Sequence, residues 1–366
     1  MTRIGIARAM AWASVAACLL GLARPTSAGF TASVFATGAD VNAKSPDSIT
    51  TDGSHVWVEY GNGASSTAPP GTAGSSTIAE YDLSGKVLNT FSIAGSADGL
   101  KYNSATNQVW VLQNQDSNSA LTTINASTGA TAQYSYTAPQ TPGRGYDDAV
   151  FVGGKIFLSY TNPANPTDPV IVQATLSGNT ISVSPVVLAN ANGINTATGQ
   201  FGSIIANDPD SLRLKPDGSL VLSSGDDGAL TTVKNPGAGN QSVSFTKLIG
   251  ATGSSLSGLD DTAYASGSDQ RLLVADTANN TIYALQGTFQ DGGAYASIGS
   301  TNTVDSIDLT TGISTSITDG LFLGNASPHG LLFIPAAVPE PSSLTLVAIG
   351  TLAGLGYRRF RSGASA

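Results

Sequence analysis

The stretch PDSITTDGSHVWVEY (46–60) reads as two short strands joined by a turn. Asp52-Gly53 is turn chemistry. The run SHVWVEY that follows is β-branched and aromatic, which suits a strand packed on both sides. The plan recurs along the chain. Strand-like runs NQVWVLQ (107–113), GKIFLSY (154–160), GSLVLSS (218–224) and QRLLVAD (270–276) each follow a turn. A short motif precedes them as PDSI (46–49), ADGL (97–100), DDAV (147–150), PDSL (209–212) and DDTA (260–263). It appears a last time as PHGL (328–331).

Further strands complete the unit, as in TIAEYDLSGKVLNTFSI (77–93) and LTTINASTGATAQYSYT (121–137). Motif strand, aromatic strand and two outer strands, repeating roughly every 50 residues, describe a propeller blade. One small twisted sheet cannot bury both of its faces, and blades around an axis bury each other's. A β-sandwich also has many short strands but does not repeat one tetrapeptide. The expectation is an all-β propeller of about six four-stranded blades, with five to seven allowed by the uneven spacing. FTASVFAT (30–37) is the candidate outer strand of the last blade. The strand-rich segment 286–327, including TVDSIDLTTGISTSI (303–317), is surplus that could fill that blade or signal a seventh. LLVADTANNTIYAL (272–285) resembles the strand–turn–strand core of the NHL and YVTN propeller repeats, which bears on fold and not on activity.

In a propeller the first strand of each blade lines the central channel. The motif would then bring Asp47, Asp98, Asp148, Asp210, Asp261 and His329 to one mouth. Carboxylates so gathered repel one another unless protons or a cation neutralise them. Oxygen donors without thiolate favour Ca²⁺ or Mg²⁺. His329 is the weak catalytic candidate, as a general base or a further ligand. The competing reading is that these Asp residues only shape turns. In the doublets Asp147-Asp148 and Asp260-Asp261, strand alternation allows one carboxylate of each pair to face the channel. Asp226-Asp227 reads as a hairpin tip, and Trp57 and Trp110 as blade core.

Much is excluded. The only cysteine, Cys18, falls in the leader, so the rest of the chain has no disulfide or thiolate metal site. No phosphate loop, zinc spacing or nucleophile elbow is present, and no other cofactor is expected. Between residues 29 and 335, ten basic side chains face twenty-four acidic ones, a net charge of about −14. That acidity argues against nucleic-acid partners.

The two ends read as addresses. Arg3 and Arg8, the apolar run 9–22 and Thr26-Ser27-Ala28 make a secretory signal peptide cleaved after Ala28. The expected division is a signal helix at 1–28, the propeller at 29–335 and a tail at 336–366. In the tail, VPEP (338–341) precedes an apolar run of ~15 residues, about 22 Å as a helix, shorter than the roughly 20 residues of a comfortable span. Arg358, Arg359 and Arg361 follow and would stay cytoplasmic. Pro339-Glu340-Pro341, a membrane helix and terminal arginines together resemble the PEP-CTERM sorting signal of Gram-negative bacteria. The resemblance implies Sec export, transient inner-membrane tethering, processing by an exosortase, and delivery to the surface or matrix, with exopolysaccharide as a candidate partner. The leading expectation is a binding or structural propeller of the envelope or biofilm. A metal-dependent, lactonase- or lyase-like enzyme and a surface adhesin are the alternatives.

Overall fold

The computed structural model describes residues 29–336, apart from 69–71, 73, 115, 138–142, 268–269 and 323–324. The signal helix with Ala28, and the tail with Pro339, Glu340, Pro341, Arg358, Arg359 and Arg361, lie outside the described residues. Among the described residues no helix is long and apolar enough to cross a membrane.

Six four-stranded antiparallel units stand in a ring. Blade one is Pro46–Thr51, His55–Tyr60, Ser75–Asp82 and Val87–Ala94. Blade two is Ala97–Asn103, Gln108–Gln113, Ala120–Asn125 and Thr131–Tyr136. Blade three is Tyr146–Val152, Lys155–Tyr160, Pro169–Ser177 and Thr180–Leu188. Blade four is Pro209–Leu214, Leu220–Ser224, Ala229–Lys234 and Ser242–Lys247. Each motif strand is innermost and lies against the innermost strands on either side, closing a circle.

Blades five and six depart from the simple repeat. The inner strand of blade five, Leu259–Tyr264, pairs not with Gln270–Asp276 but with Ala294–Ile298, which continues to Thr303–Ile307 and Ile313–Ser316. Gln270–Asp276 and Thr281–Gln286 instead form the middle of blade six, between the inner strand Pro328–Pro335 and Thr31–Thr37. The chain thus leaves blade five after one strand, builds half of blade six, and returns. The surplus segment expected to fill the last blade fills blade five, and the hairpin expected in blade five fills the last. The N-terminal strand closes the ring as expected. Gly85 (φ +92°) makes room for that strand, since a Cβ there would strike the carbonyl of Phe35.

Period-two alternation explains the packing. Val56 and Val58 face blade six, where they meet Leu273, Ala275 and Ile282. Trp57 between them faces blade two, where it meets Leu100, Val109 and Val111. The same arrangement produces six apolar clusters, one in each gap between consecutive blades. Both faces of a strand are therefore buried, which is why these runs carry so few polar residues. Trp57 and Trp110 are 0 % and 2 % exposed and belong to this core.

Candidate functional site at the channel mouth

The inner strands share one irregularity, and it governs the site. In blade one Pro46 pairs with Tyr60 and Ile49 with Val58, so Asp47 and Ser48 together oppose the single residue Glu59. The same register shift occurs between Ala97 and Leu100, Tyr146 and Ala149, Pro209 and Leu212, and Leu259 and Thr262. In blade six it lies opposite the interval between Val274 and Asp276. Six β-bulges therefore stand around one mouth, and a bulge lets two successive side chains approach the same side.

The bulges also set which residues are equivalent. The first bulge position holds Asp47, Asp98, Asp147, Asp210, Asp260 and His329; the second holds Ser48, Gly99, Asp148, Ser211, Asp261 and Gly330. In blades three and five the mouth ring thus belongs to Asp147 and Asp260. Asp148 and Asp261, expected in that ring, sit one residue further along, and both carboxylates of each doublet line the channel cavity of about 320 Å³. At the second position Gly99 and Gly330 admit the neighbouring blade, because a Cβ on either would strike the carbonyl of Asp147 or of Asp47.

Asp148 and Asp261 tie blades together. Asp148 Oδ2 accepts from Lys101 Nζ of blade two and from the backbone N–H of Leu212 in blade four, both at 3.0 Å. Asp261 Oδ1 accepts from Arg213 Nε and Ser211 Oγ at 2.6 Å. Its Oδ2 accepts from Arg213 Nη2 and, at 2.8 Å, from the N–H of Leu331 in blade six. Burial works against the Asp261 charge, yet Arg213 and Lys101 hold its carboxyl below the ordinary range. Burial and the nearby Arg213 charge bring Lys101 down. Ser159 and Ser297, opposite the bulges, accept from the N–H of Asp148 and Asp261 at 2.8 and 2.9 Å. These two acids are charge-compensated struts and have little left to offer a metal.

The first-position ring is less well compensated. His329 Nδ1 lies 2.7 Å from Asp260 Oδ2 and 3.4 Å from Asp47 Oδ1, as a charge pair rather than an aligned hydrogen bond. Its Nε2 is 3.1 Å from Ser327 Oγ. One donor atom from each of Asp47, Asp260 and His329 lies within 4.8 Å of the other two. The side chains of Asp260 and His329 remain 27 % exposed and that of Asp47 28 %, so water reaches them along the channel. Asp260 foremost, then Asp47, raise the imidazole to about 12 against the pull of burial. Burial, joined by neighbouring carboxylates, raises Asp98 and Asp210 well above the ordinary range. Burial also raises Asp147 to about 8, partly offset by a hydrogen bond with Asp210.

Glu59, opposite the first bulge, is an acid that sequence reasoning passed over. It is 0 % exposed, its carboxyl makes no well-aligned hydrogen bond, and burial together with Asp47 raises its pKa strongly, offset in small part by the nearby Ser76 hydroxyl. The available signal was a lone acid in the otherwise apolar run VWVEY. Asp226 and Asp227 do lie in a turn, where Asp227 accepts from the N–H of Asn207 at 2.7 Å and from Ser224 Oγ at 2.5 Å.

Known proteins add two findings. Residues 337–361 match the PEP-CTERM protein-sorting motif. The chain carries a PEP-CTERM sorting signal. Such a signal implies processing by an exosortase and export to the surface or the extracellular space. The body is structurally similar to β-propellers. One is a catalytically inactive virginiamycin B lyase from Staphylococcus aureus with quinupristin (14 % identity, TM-score 0.48, 84 % of this chain and 96 % of that one). Another is the periplasmic gluconolactonase of Pseudomonas aeruginosa (13 %, 0.45, 80 % and 88 %). A third is the Cps50 (Swd1) propeller domain of Myceliophteria thermophila (10 %, 0.44, 79 % and 87 %). At such identities the likeness is one of fold, and the chemistry of the mouth rests on this chain's own residues. No curated protein matches by sequence.

Proposed function

We propose that this is a secreted binding propeller of the Gram-negative envelope or matrix, whose channel mouth takes a divalent cation, Ca²⁺ or Mg²⁺. Residues 1–28 act as the Sec signal and 29–335 as the working domain. The segment 336–366 tethers the chain to the inner membrane until the exosortase releases it toward exopolysaccharide-rich surroundings. The observation that carries the cation is the meeting of Asp47, Asp260 and His329 beside Asp98, Asp147 and Asp210. Asp47 and Asp260 supply hard oxygen donors, His329 joins them once the incoming ion displaces its ring proton, and the other acids supply charge. A bound ion would take over the neutralising role that protons otherwise fill. Asp148 and Asp261 stay outside the ligand set because Lys101 and Arg213 occupy them.

Binding is favoured over catalysis because without the ion Asp260 and Asp47 hold His329 as an imidazolium, and with the ion the imidazole is a ligand, so in neither state is it a free general base. One observation favours the second reading, a metal-dependent lactonase- or lyase-like enzyme. Asp147, hydrogen-bonded to Asp210, is raised by burial to about 8, a range suited to proton transfer.

Metal analysis of the exported protein, with melting in Ca²⁺ and in EDTA, tests the cation. About one equivalent of metal and a lower melting temperature in EDTA are expected. Metal-free protein indifferent to EDTA refutes the site. Turnover of any member of a lactone panel, lost in Asp147→Asn, replaces binding by catalysis. Pro339→Ala with Glu340→Ala is expected to leave the protein unprocessed in the membrane fraction.

A further inference from the structure

A second cavity opens between blades one and two, at the far end of the channel axis from the acidic mouth. Each inner strand starts at the mouth, so the hairpins that follow it lie at the other end. The cavity is walled by those hairpins, 51–55 and 103–108, and by the turn 125–130. It measures about 890 Å³, within the roughly 300–1,000 Å³ typical of ligand clefts.

Its surfaces alternate between flat apolar and fixed polar. Phe91 is partly exposed and stacks on the buried Trp57 with ring centroids 5.9 Å apart, so the ring is held in place. Tyr102 forms the facing wall and donates to Asn107 Oδ1 at 2.9 Å. The polar groups are oriented in advance. Asn89 donates to Glu80 Oε2 at 2.6 Å, and Asn107 to Ser127 Oγ at 2.8 Å. His55 Nδ1 lies 2.9 Å from Asp52 and 3.5 Å from Glu80. The described lining contains no Lys or Arg.

We infer that this groove binds a neutral glycan segment. A sugar ring has an apolar C–H face that stacks on an aromatic face, and an equatorial belt of hydroxyls that pair with amides and carboxylates. The fixed side chains reduce the ordering cost of binding. Two carboxylates against one histidine repel uronates, sulfated sugars and phosphates, which selects against anionic polymers. The groove goes beyond the mouth reading. It lies at the opposite end of the ring, and neither site needs the other.

Trp57 is a built-in reporter, because the only other tryptophan after Ala28 is Trp110. The experiment is a fluorescence titration of the exported Trp110→Phe protein, in EDTA so that the mouth takes no part. Probes are cellohexaose, chitohexaose and β-1,4-galactohexaose, with hexagalacturonate as the anionic comparison. Saturable binding of at least one neutral probe is expected, with hexagalacturonate about tenfold weaker or worse. Phe91→Ala and Asn89→Ala should each weaken binding about tenfold, near 1.4 kcal/mol. Asn89 is exposed, so its variant decides the matter if Phe91→Ala misfolds. No saturable change with any neutral probe, equal binding of hexagalacturonate, or unaltered affinity in Asn89→Ala overturns the proposal.

Discussion

The doublet Asp260-Asp261 offers two chemically identical side chains with opposite expected consequences. In Asp261→Ala the Arg213 guanidinium, 16 % exposed, loses its buried counter-ion, and the N–H of Leu331 loses its acceptor. Stranding a buried charge costs about 3–5 kcal/mol, and an unmet buried N–H about 1–3 kcal/mol. The partial exposure of Arg213 lets solvent offset part of this, so the expected loss is about 3–5 kcal/mol. At roughly 2 °C per kcal/mol for a chain of this size, melting should fall by about 6–10 °C. Asp260→Asn takes away the chief charge partner of His329 but also a carboxylate whose charge burial and Asp47 disfavour, and the two effects oppose each other. Its expected effect is within about 1 kcal/mol. Removing Arg213 as well tests the cause. Arg213→Leu with Asp261→Ala should recover about 2 kcal/mol relative to the sum of the single changes. Urea unfolding followed by tryptophan fluorescence measures the parent, the three single variants (Arg213→Leu among them) and the double variant. A loss under about 1 kcal/mol in Asp261→Ala, or strict additivity in the double variant, would refute the strut argument.

Three further outcomes are expected. The folded state holds protons on Asp147 up to about pH 8, against an ordinary value of 3.8, so metal-free stability should fall as pH rises from about 4 to about 8. His329 acts in the same direction: its contribution is full below about 6.5 and fades toward about 12. Melting curves from pH 4 to 9 check this, and Ca²⁺ should flatten the decline; a flat profile in EDTA would contradict it. Glu59→Gln should cost under about 1 kcal/mol because burial already disfavours the charged carboxyl, whereas Glu59→Lys should prevent folding; solubility and urea midpoints distinguish them. Deleting 29–37 uncovers the edge of Thr281–Gln286 and should give aggregation and fast proteolysis near that strand, visible by size exclusion and limited chymotrypsin digestion.

Much of this architecture was legible because repetition amplifies weak signals. A single PDSI means little, but six variants of it, five of them ahead of strand-like runs, mark a common inner strand. Two features stayed hidden for definite reasons. DDAV and DDTA align with PDSI equally well in two frames, and only the bulge, a property of hydrogen-bond register, chooses between them. The exchange between blades five and six was hidden because LLVADTANNTIYAL is a locally complete hairpin. Nothing in it says which inner strand it will join. Glu59 was missed because one acid in an apolar run has no repeat to mark it.

The exchange of strands also bears on how the protein comes together and apart. Blade six draws on Thr31–Thr37, Gln270–Asp276, Thr281–Gln286 and Pro328–Pro335, so it cannot assemble until nearly the whole body is available. Such long sequence separations make for slow folding. Once formed, the two blades are threaded through each other. Peeling blade five outward pulls on the connections to blade six, so neither should open as an independent foldon. Native-state hydrogen exchange should show these two blades sharing one opening free energy, while blades one to four retain individual ones. The ring would then have a single interlocked arc, and the seam that closes a propeller would be the last part of it to yield.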